Sequence, residues 1–290
     1  MKKILGLVAS QRKLANGEIL MKEAAASIGE EFELELIRLP ELSLLPCNAC
    51  YACLFPNRSC PLTDDLYFLL DKIKEADGLI LSAPCYALGP AAITKLFGDR
   101  IIALAQHIDE LWGKPCVIIG TAGIKGWEGY TLSALIANSR FLGFDVKDAH
   151  MFLGALPGEA LVNDNSIERI SALGASLFNE PHILEAGQCP TCWSDIWKFP
   201  EPNQAVCPLC GQEATIFSSE NGFQWDFGSA GKRFEKETLT EHFQVWLKAQ
   251  VKEFGDRRKE LSEIRNRYRG YNTWIKRNSG LTNDGSPIKE

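Results

Sequence analysis

A doubly wound α/β fold around a five-stranded parallel sheet is predicted by three features of the sequence. Short apolar runs alternate with longer amphipathic segments from residue 3 to about 180. Runs such as GLILS and CVIIG are apolar throughout, as in strands covered on both faces. Each run is followed by a segment of helical period, the order that builds parallel strands with helical crossovers. ILGLVAS (4–10) reads as the first strand; its apolar run ends at Gln11, too short for the core of a signal peptide. NGEILMKEAAASIGEE is the first helix, and FELELIRL (32–39) the second strand. DDLYFLLDKIKEA follows as a helix, its Asp64 and Asp65 read as N-cap and first-turn charge. DGLILSAP is the third strand, PAAITKLFGDRIIALAQHI one continuous helix and KPCVIIGTAG the fourth strand. YTLSALIANSRFLG, FDVKDAHMFLG and NSIERISALGASLFNE complete the pattern as helix, fifth strand and helix.

The 290 residues, 46% of them hydrophobic, suffice for one large core with appendages. The expected division is an α/β domain over 1–182 with a cysteine-rich insertion at 45–62, a small module over 186–218, and a helical extension over 231–275. A net charge of -6 argues against a protein that coats nucleic acid. From residue 231 onward, however, 14 Lys/Arg face 9 Asp/Glu, and Leu247, Val251, Phe254, Leu261 and Tyr268 form one helical stripe, suited to packing on its own chain or a sister subunit. No run approaches the ~20 apolar residues of a membrane span. The expected location is the cytoplasm, where clustered cysteines more often hold metal than form disulfides.

Ten cysteines fall into two sets and two singles. CNACYACLFPNRSC places Cys47, Cys50, Cys53 and Cys60 in a proline-rich stretch of about 24 residues, long enough to be functional. Three closely spaced thiolates and a returning fourth suit a 4Fe-4S cluster better than zinc, with bare or redox-active thiols as the other reading. Cys189 and Cys192, then Cys207 and Cys210, form two C-P-x-C knuckles for a tetrahedral site, holding zinc or a single iron. Cys116 reads as a core residue and Cys85 as a small packing residue.

Ligands of open α/β sheets bind beyond the carboxyl ends of strands. SQRKLANG (10–17) offers a hydroxyl, a guanidinium and free amides at a helix start, suited to a phosphate monoester. It carries neither GxGxxG nor GxxxxGK[ST], so a dinucleotide or P-loop site is not favoured. SAPCYALGP (82–90) and TAGIKGWEG (121–129) add stiff walls and backbone donors, suited to a flat aromatic ring with polar edges.

The run DDLYFLLDKIKEADGLILSAPCYALGPAAITKLFGDR (64–100) resembles the signature of the flavodoxin-like NADPH-dependent FMN reductase superfamily, and Ser10, Arg12 and Asn16 match its phosphate loop. The resemblance covers about residues 1–180 and implies a flavodoxin-like fold. It assigns FMN phosphate contacts to Ser10, Arg12, Asn16 and Gly17, ring contacts to Pro84, Cys85, Tyr86 and Ala87, and the ring's polar edge to Thr121, Ala122 and Gly123. Gln11 stands where proline is common, and Gly17 where Ser or Thr often adds a hydroxyl. The first cysteine set resembles that of the iron-sulfur flavoprotein branch, which implies a 4Fe-4S cluster near FMN. The second resembles a zinc ribbon or a rubredoxin-like module. Together these imply an electron-transfer oxidoreductase, with NAD(P)H or ferredoxin as donor and a homodimer or homotetramer as assembly. A plain NAD(P)H:FMN or quinone reductase, or a flavin- or cluster-based sensor that docks through ribbon and tail, are the alternatives.

Overall fold

The computed structural model describes residues 1–162, 164–181, 184, 187–220 and 222–270. Strand β1 (Lys2–Val8) pairs in parallel with β2 (Phe32–Arg38) on one side. On its other side lies β3 (Gly78–Tyr86), followed by β5 (Pro115–Ala122) and β6 (Asp145–Leu153), giving the order β2-β1-β3-β5-β6. A two-residue strand, β4 (Gly89–Pro90), turns back antiparallel on the end of β3. This is the doubly wound flavodoxin-like arrangement expected, and its carboxyl edge gathers the loops after β1, β3, β5 and β6.

Strand alternation divides the core between two faces. Leu5, Leu7, Leu79 and Ile118 point to one layer, packed by α2 (Leu66–Glu75), α3 (Ala92–Asp99) and α6 (Thr131–Phe141). Ile4, Val8, Ile80, Val117 and Ile119 point to the other, under α1 (Asn16–Ala26) and α7 (Asp164–Ala175). Each such aliphatic side chain contributes roughly 1.5–3 kcal/mol on burial. Gly174 permits the close approach of α7 to α1, since a Cβ there would stand 1.9 Å from the Ala24 carbonyl oxygen.

The continuous helix expected after Pro90 is broken. α3 ends at Asp99, and Arg100 (φ -86°, ψ 2°) separates it from two single turns, α4 (Ile101–Leu104) and α5 (Ile108–Leu111). The break keeps Phe97, Leu104, Ile108 and Leu111 buried while turning Arg100 and Gln106 toward the cysteine insertion. That is a tertiary demand that local periodicity does not carry.

After the main sheet the chain forms the second cysteine module, whose antiparallel sheet contains β7 (Lys198–Glu201), β8 (Gln204–Val206), β9 (Glu213–Ser219) and β10 (Gly222–Phe227). The chain then returns through α8 (Lys236–Thr240) and a π-helical turn (Glu241–Trp246), burying Leu239, Phe243 and Leu247 with Leu54 and Ala105. The segment 236–247 therefore packs on Leu54 of the cysteine insertion. The chain divides into two units, Met1–Lys248 and Ala249–Glu290. Helix α9 (Leu247–Asp256) runs into the second unit, where α10 (Arg258–Asn266) follows and Arg257 pairs with Glu253 and Glu260. Val251, Phe254 and Tyr268 of the expected stripe are exposed there. Residues 271–275 of that extension, and His182, lie outside the described residues. Among the described residues, no helix is long and apolar enough to cross a membrane.

Candidate functional site

At the carboxyl edge of the sheet lies a cleft of about 240 Å³. It is lined by Ser10, Arg12, Asn16 and Gly17 at one end, and by Pro84, Cys85, Tyr86, Thr121, Ala122 and Gly123 at the other. Ten of the eleven residues predicted for this ligand thus meet in one place. The eleventh, Ala87, lies beside the lining with a left-handed backbone (φ 50°), as does Leu88 (φ 65°). That strain is held by the Tyr130 N–H donating to the Leu88 carbonyl at 2.9 Å. The Cys85 thiol donates to the Trp127 and Glu128 carbonyls, both at 3.4 Å, so it ties the two ring-side loops together.

The 10–17 loop rests on groups that sequence reading missed. Arg38, at the end of β2, donates to the carbonyls of Ser10 (2.8 Å) and Arg12 (3.1 Å) and pairs with Glu18 at 2.7 Å. Glu18 also takes the Leu14 N–H and pairs with Lys22. Burial alone would raise the Glu18 carboxyl, but the hydrogen bonds from Lys22, Arg38 and Leu14 bring it down to about 2. The clamp is therefore intact above the ordinary carboxylate range and is lost as pH falls toward 2. Glu18→Gln is expected to weaken FMN binding about tenfold or more, the scale of one charge-assisted bond, and fluorescence titration with FMN would measure it.

The Asn16 side chain is held by the loop after β6. Its amide nitrogen donates to the Gly154 carbonyl (2.8 Å), and its oxygen accepts from the Ala160 N–H (3.4 Å). This draws in a fourth loop, Gly154, Ala155 and Pro157, which follows β6 and also lines the cleft. The G-A-L-P-G run after the last strand was the available signal. Gly17 sits where a Cβ would meet the Ser82 hydroxyl at 2.3 Å, and that buried hydroxyl has no partner among the described residues. No side chain caps the start of α1. The amides at the start of α1, beside Ser10 and Arg12 in the lining, fit a phosphate group, and the Pro84–Tyr86 wall fits a flat ring.

The cysteine insertion is stapled at its base. Asp64 accepts from the Leu45 and Leu66 N–H groups and pairs with Arg100, both side chains being buried. Arg100 also donates to the Leu45 carbonyl (2.7 Å) and to Cys60 Sγ (3.3 Å). Asp65 takes the Ser43 N–H rather than capping its helix. Gln106 donates to the carbonyls of Cys53, Phe55 and Arg58, and Tyr67 Oη accepts from the Cys60 N–H. Burial first, then the neighbouring Cys60, Cys50 and Cys47, push the Cys53 thiol up to about 11. Cys47 and Cys50 are exposed while Cys53 is buried, as for a group with one open side.

The second set is drawn in much tighter. The sulfurs of Cys189, Cys192, Cys207 and Cys210 all lie within 4.8 Å of one another and are buried. Four thiolates at ~2.3 Å from one ion have this spacing. Sulfur-to-sulfur contacts push Cys192 and Cys210 up and Cys189 and Cys207 down, as in groups sharing charge in a small volume. Gln212, also missed from sequence, joins the knuckles: its N–H meets Cys210 Sγ, its carbonyl takes the Cys207 N–H and its side chain takes the Thr191 hydroxyl. The module docks on α6 through Ser133, which bonds Ser194 and Asp195, and through Trp193, which enters the main core. Cys116 is a core thiol, pushed by burial to about 12.

Residues 2–146 match the family model of the NADPH-dependent FMN reductases. The chain belongs to that family. An iron-sulfur flavoprotein of Methanocaldococcus jannaschii is 40% identical over 99 residues, 34% of this chain and 51% of that protein. The chain thus spans about half the length of this relative. The flavone synthase cfoJ of Aspergillus candidus is 26% identical over 226 residues, 65% of this chain and 69% of that protein. Among solved structures a flavone reductase superposes with a TM-score of 0.72 at 20% identity, over 95% of this chain and 100% of that one. The fold likeness therefore extends through the four-cysteine module.

Proposed function

We propose that the protein takes electrons from NAD(P)H into FMN and passes them through a 4Fe-4S cluster held by Cys47, Cys50, Cys53 and Cys60, with zinc in the second cysteine set as a structural centre. One observation carries this reading: the cysteine insertion leaves the carboxyl end of β2, at the same sheet edge as the cleft, and Arg38 at that end braces the phosphate loop. FMN exchanges two electrons or one at a time, whereas such a cluster carries one, so their adjacency converts pair chemistry into single-electron transfer. Ser10, Arg12 and the first amides of α1 would hold the phosphate, while Pro84, Tyr86 and the 121–123 backbone would hold the ring. The protein works in the cytoplasm as a homo-oligomer, with ferredoxin as an alternative donor. Anaerobic mixing with NADPH or NADH should bleach the flavin absorbance and then develop the signal of a reduced cluster by electron paramagnetic resonance. Flavin reduction with no cluster signal would reduce the protein to a plain FMN reductase.

A second reading, direct transfer from flavin to a flat aromatic acceptor, is favoured by the rim. Tyr86, Ile124, Trp127, Tyr130 and Leu156, all exposed, adjoin the ring end of the cleft in the chain. Two relatives carry flavone in their names. Turnover of a flavone under NADPH that survives Cys53→Ser would select this reading.

A further inference from the structure

Among the described residues the buried charges are paired, and one half-buried arginine is not. Arg100 faces Asp64, Arg169 forms two bonds of 2.6 Å to Asp148, and Arg38 faces Glu18. Arg140, in the last turn of α6, makes no hydrogen bond or ion pair among the described residues, and its Nε is buried without a partner. A guanidinium stays charged at any working pH, and a buried charge with no counter-charge is strongly unfavourable.

The surroundings show where the missing negative charge belongs. Arg140 lines a cavity together with Trp112, Phe144, Asp145 and Phe234. Phe234 packs against the four sulfurs on one side and edge-on against Phe141, the next residue of α6, at 5.2 Å. The charged or titratable groups near Arg140 are Cys192 and Cys210 from the module, Cys116 from β5 and Asp145 from β6, of which Asp145 lines the same cavity. Cys116 is a neutral core thiol, and Asp145 is held by Lys147 at 2.8 Å. That leaves the module's sulfurs. Four thiolates around a divalent ion carry a net charge of about -2, and forming that centre releases their protons.

We propose that Arg140 is the counter-charge of the four-cysteine metal centre, a positioning residue through which α6 holds the loaded module. The proposal rests on the reading that Cys189, Cys192, Cys207 and Cys210 bind a divalent metal. Loading the metal then creates the anion that Arg140 lacks, so metal binding and docking of the module onto the flavin domain reinforce each other.

The test uses the full chain and zinc, with Arg140→Met and Arg140→Lys. Competition with a chromophoric chelator should show zinc held about ten- to a hundredfold more weakly in Arg140→Met, the range for outer partners of metal ligands, with most of the affinity kept in Arg140→Lys. Protons should displace zinc from Arg140→Met at higher pH than from the parent, since the thiolates lose a neighbouring cation. Zinc-stripped Arg140→Met should melt no lower than the zinc-stripped parent. Unchanged zinc affinity in Arg140→Met, or an equal loss of stability with and without zinc, overturns the proposal. A parent chain that takes up no zinc and no other divalent ion overturns the metal reading itself, a result distinct from either.

Discussion

Arg100→Met is expected to lower the melting temperature by roughly 10 °C and to release iron from the first cysteine set while FMN remains bound. The side chains of Arg100 and Asp64 are 1% and 0% exposed, so removing one leaves the other buried and uncompensated, a loss of about 3–5 kcal/mol. The effect on the metal follows from geometry. Arg100 grips both ends of the insertion, the Leu45 carbonyl on one side and Cys60 on the other, and Asp64 pins the Leu45 N–H. A double variant, Arg100→Met with Asp64→Leu, should recover part of the stability and none of the iron, which separates charge from scaffolding. Burial would raise the Asp64 carboxyl, but the Arg100 bond and the Leu45 and Leu66 N–H groups hold it below the ordinary range. The stabilisation is therefore present at neutral pH and fades as pH falls through the depressed value. Calorimetry with iron analysis checks both parts, and a variant that keeps its iron at full occupancy would show that the staple is dispensable.

Removing the second metal should have a still larger local effect. Apart from Trp197, Leu209 and Phe234, the centre of that module is four cysteines, so little apolar surface remains to hold it when the metal leaves. Cys192→Ser, or extraction with a strong chelator, is expected to open the module to proteolysis between residues 187 and 235 and to change the near-ultraviolet dichroism of Trp193, Trp197 and Trp225. The α/β domain should stay folded, because its two cores are closed by its own helices. Some loss of its stability is expected, since Trp193 leaves the main core and Ser133 loses its partners in the module. A proteolysis pattern identical with and without metal would contradict this.

The strands were legible because their signal is local: GLILSAP and CVIIG are buried on both faces and look it. The second cysteine set was legible from spacing, since a turn of fixed length aims its thiols without help from the rest of the chain. What was hidden is long-range. The pairs Arg38 with Glu18 and Arg100 with Asp64 join residues 20 and 36 positions apart, and no periodicity marks them. The break at Arg100 is the same effect, a helix interrupted so that one side chain can reach another loop. The loop after β6 could have been read, because the rule that placed the ligand beyond strand ends applies to the fifth strand as well as to the first. Arg140 sits on α6 as an ordinary basic residue of a last turn, and only its surroundings show that its partner is missing.

The cleft proposed to hold FMN and the cysteine insertion proposed to hold iron and sulfide share one edge of one sheet. Anaerobic purification followed by counting FMN, iron, acid-labile sulfide and zinc in the same sample tests this most directly. It should find about one FMN, about four iron and four sulfide, and about one zinc per chain, as one 4Fe-4S cluster and one tetrahedral zinc centre require. A chain that carries no flavin, or flavin with no sulfide, would contradict it.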